Sequence, residues 1–209
     1  MNTKAKTTPP SLSLRMAWAL MAGASLALSA CAPASSVPAE PPLAGADIGG
    51  PFNLINSASE PVTWEDFRGK YAVVYFGYAY CPDVCPTDMQ RTAQGMRLFA
   101  EQAPDRAAKT QVAFISIDPA RDTPEVVGEF AAAFSDDIIG LTGTPDTVKA
   151  AADAFRVYYQ LGEPAPGGGY LVDHTNIVYL FDPDGEPLAM LPTSEGADAV
   201  AAELDKWVN

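Results

Sequence analysis

Histidine, cysteine and basic side chains are all scarce in this chain: one His, three Cys and 13 Lys+Arg in 209 residues. Acidic residues number 26, giving a formal net charge of −13, and a domain of that sign does not offer a nucleic-acid surface. Long apolar runs are also missing. The most apolar stretch, Ala17 to Ala30, is short of the roughly 20 residues that span a bilayer. Methionine is sparse as well, with only Met89, Met96 and Met190 beyond that stretch. What the chain does have is 48% hydrophobic and 19% charged residues, the balance of a packed core of one or at most two domains.

The first thirty residues carry Lys4, Lys6 and Arg15 and no acid, followed by the Ala-rich stretch, which is the pattern of an export signal. It ends in Leu28-Ser29-Ala30-Cys31, which looks like a bacterial lipobox with Cys31 as the lipidated first residue of the mature chain. Cleavage there leaves 10 Lys+Arg against 26 Asp+Glu, a net −16. The expected product is anchored by lipid to a membrane of the bacterial cell envelope and faces the periplasm. Residues 31–46 contain Pro33, Pro38, Pro41 and Pro42 among Ala and Ser, a composition that makes a semi-rigid tether. The folded domain is expected over 47–209.

Within that domain strand and helix signals alternate. Pro51–Ile55 and Val62–Phe67 suggest an N-terminal hairpin. Ala72–Phe76 and Val112–Ile117 are continuous apolar runs, as expected of strands buried on both faces. Pro86 suits a helix start running to about Gln102, and Thr123-Pro124-Glu125 and Thr144-Pro145-Asp146 open two more helices. After Gly162 comes a Pro/Gly stretch ending in Gly167-Gly168-Gly169, the composition of a hairpin tip or a mobile loop. Thr175–Phe181 and Glu186–Leu191 then read as strands joined at Asp182-Pro183-Asp184-Gly185, and Ala197–Val208 as a closing amphipathic helix. Such an order fits an α/β sheet of thioredoxin type.

With Cys31 lipidated, Cys81 and Cys85 remain, three residues apart in Cys81-Pro82-Asp83-Val84-Cys85-Pro86. In an oxidising compartment such a pair is a disulfide, a redox couple or a metal site. Pro86 at the first helical position places Cys85 at the N-cap, where free N–H groups and the helix dipole favour a thiolate, while Asp83 and Asp88 oppose it. The spacing is one residue longer than the redox C-x-x-C and gives the sulfurs room to pinch a metal. His174, the chain's one histidine, lies at the entrance to a strand. Two thiolates and an imidazole suit copper(I), which is soft and accepts three ligands, whereas structural zinc normally takes four. Asp173, beside His174, either orients the imidazole ring or simply begins a loop. Asp118, Arg121 and Asp122 read as local charge pairing at a helix start.

The segment from Phe76 to Pro86, the segment Ser116-Ile117-Asp118-Pro119-Ala120-Arg121-Asp122-Thr123, and Asp173-His174-Thr175 followed by Phe181–Gly185 resemble, in order, three signatures of the Sco/SenC family. The resemblance implies a thioredoxin-like fold with an N-terminal hairpin and an inserted loop, Val157 to Asp173, that brings the histidine towards the cysteines. It also implies a copper site of Cys81, Cys85 and His174, filled by a periplasmic copper donor and emptied into the copper-bearing subunit of cytochrome c oxidase, at its binuclear centre. Tyr80 departs from the family, where histidine or another polar residue more usually precedes the first cysteine. The lipid anchor replaces the transmembrane helix of many relatives. Two rival readings use the same residues: a thiol–disulfide oxidoreductase in which Cys81 and Cys85 are catalytic, and a copper-dependent redox sensor. A peroxidase is disfavoured because Tyr78 stands where the peroxidatic motif has Thr.

Overall fold

The computed structural model describes residues 40–209 apart from Gly167. The signal segment, Cys31 and most of the tether lie outside the described residues.

The tether ends earlier than its composition suggests. Residues 41–46 form turns, and the Leu43 N–H donates to the Leu188 carbonyl at 3.0 Å while its side chain packs on the core. The domain therefore includes this segment. Leu43 supplies the apolar contact that the Pro-rich composition obscured.

The central sheet has the order β5-β4-β3-β8-β9. β3 (Tyr71–Gly77), β4 (Thr110–Ser116) and β5 (Ile138–Leu141) run parallel, and β8 (Val178–Phe181) and β9 (Pro187–Leu191) complete it antiparallel. Every residue of β3 is buried, because it is the middle strand and needs apolar side chains on both faces. The N-terminal hairpin pairs β1 (Asn53–Ile55) with β2 (Pro61–Thr63). The second strand expected to reach Phe67 stops at Thr63, where Thr63 and Asp66 form a capping box that opens a 3-10 turn over Trp64–Phe67. Trp64 then packs against Phe155 and Phe181, with ring centroids 5.2 and 5.1 Å away.

Helix α1 (Val84–Gln102) is followed by the short α2 (Pro104–Ala107), α3 (Pro124–Ala132), α4 (Pro145–Ala154) and α5 (Ala197–Trp207). The threonine and proline signals for α3 and α4 hold: Thr123 and Thr144 each cap a helix whose first residue is proline. α1 packs along α5 at Gly95, where an added Cβ would stand 2.4 Å from Val200. Between α4 and β8 the chain makes a separate hairpin of β6 (Tyr159–Leu161) and β7 (Val172–His174), with Tyr159 opposite His174. The described residues of the Pro/Gly stretch lie between these strands, and the inserted segment is thus a paired structure that ends on His174.

Candidate metal centre

β3 delivers the chain to the cysteine loop, which turns at Tyr78–Cys81 with the Cys81 N–H donating to the Tyr78 carbonyl at 3.1 Å. Asp122 secures the same loop from the β4–α3 connection. Its Oδ2 accepts from the Ala79 N–H at 2.9 Å and from the Ser116 hydroxyl at 2.6 Å.

α1 begins two residues before the proline that signals it. Asp83 is the N-cap, Val84 and Cys85 are the first helical positions, and Pro86 takes the third. Proline is tolerated there because the first turn's N–H groups have no partner within the helix. The Cys85 N–H points instead at Cys81 Sγ, 3.5 Å away. Gly77 makes room for the second sulfur: a Cβ on it would lie 3.0 Å from Cys85 Sγ.

Both cysteines are free thiols, Cys81 with 9% exposure and Cys85 with none. Burial holds the Cys85 thiol well above its ordinary pKa, and the neighbouring Cys81 adds to the rise. The favourable helix terminus is therefore outweighed by desolvation at this position. The Tyr75 hydroxyl donates to the buried Asp88 carboxylate at 3.2 Å, and burial likewise raises the phenol's pKa.

His174 comes in from the hairpin arm. Its Nε2 lies 3.3 Å from Cys85 Sγ, and its Nδ1 lies 3.0 Å from the Thr175 carbonyl oxygen. A carbonyl only accepts, so Nδ1 carries the hydrogen and the Nε2 lone pair faces the sulfur. Burial lowers the ring's pKa, which favours the neutral imidazole that a metal requires. Tyr78 and Tyr75 stand edge-on to the ring, with centroids 5.9 and 6.3 Å away.

Asp173 does not orient the ring. It is exposed, because side chains alternate faces along β7 and its neighbour His174 occupies the inward one. The Thr175 carbonyl takes the role instead, a backbone group that residue-type reasoning does not single out.

The donor atoms of Cys81, Cys85 and His174 all lie within 4.8 Å of one another. Two sulfurs and one neutral imidazole nitrogen offer a soft ion three ligands. Sequence reasoning missed Tyr75, Tyr78 and Thr175 as neighbours of the site, and noted Asp88 only as a charge opposing the thiolate. Only their closeness to the cysteines and histidine in the chain could have suggested Tyr78 and Thr175.

A site like this on a thioredoxin-like sheet defines a class of protein in which the dithiol loop is paired with an imidazole brought in by an inserted arm. Residues 40–209 match SCO1/SenC, and the chain belongs to that family. It is 48% identical over 143 residues to Protein SenC of Rhodobacter capsulatus, an overlap of 67% of this chain and 61% of that protein. The copper-bound structure of Bradyrhizobium japonicum ScoI superimposes with a TM-score of 0.69 at 34% identity, covering 77% of this chain and 99% of that one. BsSco, described as a Sco-family cytochrome c oxidase assembly protein with a disulfide switch, shares the fold with a TM-score of 0.59 at 22% identity, over 80% of this chain and 97% of that one. The chain spans between 46% and 61% of the length of the first three curated relatives it matches.

Proposed function

We propose that the protein takes up copper at Cys81, Cys85 and His174 and delivers it to the copper-bearing subunit of cytochrome c oxidase. The convergence of two thiols and a neutral imidazole within 4.8 Å carries this reading. The copper bound by a structural relative at 34% identity supports the choice of ion. The resemblance supplies the target, the oxidase binuclear copper centre.

Uptake replaces the Cys85 S–H···Nε2 contact with a metal bound to both atoms, and the thiol protons leave to solvent. A disulfide between Cys81 and Cys85 would remove two of the three ligands, so copper occupancy and thiol redox state are coupled. Copper comes from a periplasmic donor, and lipidation at Cys31 holds the protein to a membrane of the cell envelope.

The oxidoreductase alternative asks one of these thiols to attack a disulfide as thiolate. The fully buried Cys85, with its raised pKa, is ill suited to that task, leaving Cys81 as the attacking sulfur.

Transfer is the decisive test. Copper-loaded full-length protein is mixed with the copper-free oxidase subunit, and the absorption of the binuclear centre is followed. Delivery predicts that this absorption appears as copper leaves the protein. A subunit that is reduced but never metallated by the loaded protein would favour the oxidoreductase.

A further inference from the structure

The charged cluster Asp118, Arg121 and Asp122 reaches further than helix-start charge pairing. Arg121 is 21% exposed in its side chain and its partner Asp118 1%. Arg121 Nε donates to Asp118 Oδ2 at 2.5 Å, and Nη1 donates to the Tyr170 carbonyl at 2.9 Å. The guanidinium carbon lies 3.7 Å from the Tyr170 ring centroid, 5.6 Å from Tyr78 and 5.4 Å from Tyr80. The Tyr170 hydroxyl closes the loop by donating to Asp118 Oδ1 at 2.7 Å.

Arg121 thus touches three separate segments: the cysteine loop, the β4–α3 connection and the hairpin arm. The arm has only three residues in each strand and pairs with no strand of the central sheet, so its own pairing does little to fix its position. Just past the Tyr170 contact, the Val172 N–H donates to the Tyr78 hydroxyl at 3.2 Å. His174 ends the same strand.

We infer that Arg121 is a positioning residue, a latch that holds the hairpin arm and its His174 against the two cysteines. The inference rests on His174 being a copper ligand. Arginine suits the task because its planar fork can bond and stack at once, which an ammonium group cannot do. Releasing the latch withdraws one ligand of three while the two thiols stay on their own loop, and gives the site a way to lower its grip on copper without unfolding. Tyr80, 55% exposed, is the outer face of the latch, which gives this departure from the family pattern a use at the rim of the site.

The test compares the full chain with R121A, R121K, H174A and the R121A/H174A double variant. Copper(I) affinity is measured by chelator competition, and amide hydrogen exchange at Val172 and Gly162 is followed without metal. R121K keeps the charge opposite Asp118 and guards against a variant that simply fails to fold. We expect R121A and R121K to weaken copper binding by about 10–100-fold, as loss of an outer partner typically does. The double variant should bind no more weakly than H174A, and exchange at Val172 should quicken in both Arg121 variants. A merely structural Arg121 would instead weaken the double variant beyond H174A. R121A and R121K that bind like the parent, with H174A impaired, overturn the latch alone. H174A that binds copper as tightly as the parent overturns the ligand reading, and the latch's function with it.

Discussion

Cys85 and His174 stand 89 positions apart in the chain, yet Sγ and Nε2 lie 3.3 Å from each other. Cys85 is carried by the first turn of α1 and His174 by the last residue of β7. The contact joins an element attached directly to the central strand to one that hangs outside the sheet. One half of the site is rigid by construction, and the other depends on how the arm is held.

The pH dependence of copper uptake follows from the two pKa shifts. Burial raises the Cys85 thiol above its ordinary value, so between pH 6 and 8 this group is protonated in the free protein and deprotonated in the complex. Affinity should rise about tenfold per pH unit from this thiol. His174 is shifted the other way, and above its ordinary range it is already neutral and adds no further proton. Chelator competition at pH 6, 7 and 8 checks the slope, and an affinity that is flat with pH would refute it.

The thiols should differ in reactivity. Cys81 retains 9% exposure and Cys85 none, and the Cys85 thiolate is suppressed by burial. Iodoacetamide on the reduced, metal-free protein at pH 7 should label Cys81 well before Cys85, as read by peptide mass spectrometry. Denaturant should erase the difference. Equal rates in the folded protein would contradict the placement of Cys85.

Gly77 tests the space reserved for sulfur. In Gly77→Ala the new methyl would meet Cys85 Sγ, Phe114 and Tyr75, each at 3.0 Å. All three are fully buried, so overpacking should cost about 1–3 kcal/mol in urea unfolding. Copper binding should weaken as the Cys85 sulfur is displaced. An unchanged midpoint and affinity would show that the loop has slack.

The sheet was legible because its buried strands are unbroken apolar runs, and α3 and α4 because Thr-Pro pairs mark helix starts chemically. Cys81 and Cys85 stood out by spacing, and His174 by being the chain's one histidine. The start of α1 was misplaced because proline is acceptable anywhere in the first turn, so Pro86 marks the turn without marking its first residue. The Pro/Gly stretch admitted a hairpin tip or a mobile loop, and strands of three residues are too short for a period to decide between them. Asp173 misled for the same reason: its neighbour in sequence lies on the opposite face of a strand not recognised as one. Arg121 and Tyr170 are 49 positions apart, and nothing in either segment announces their contact.

The most direct test of the central claim is the copper(I) affinity of the reduced full chain beside His174→Ala. A tight one-to-one site, weakened in the variant by more than the roughly 10–100-fold typical of outer partners, is what a two-thiol, one-imidazole centre predicts. Binding that is weak in the parent, or indifferent to the loss of His174, would contradict it.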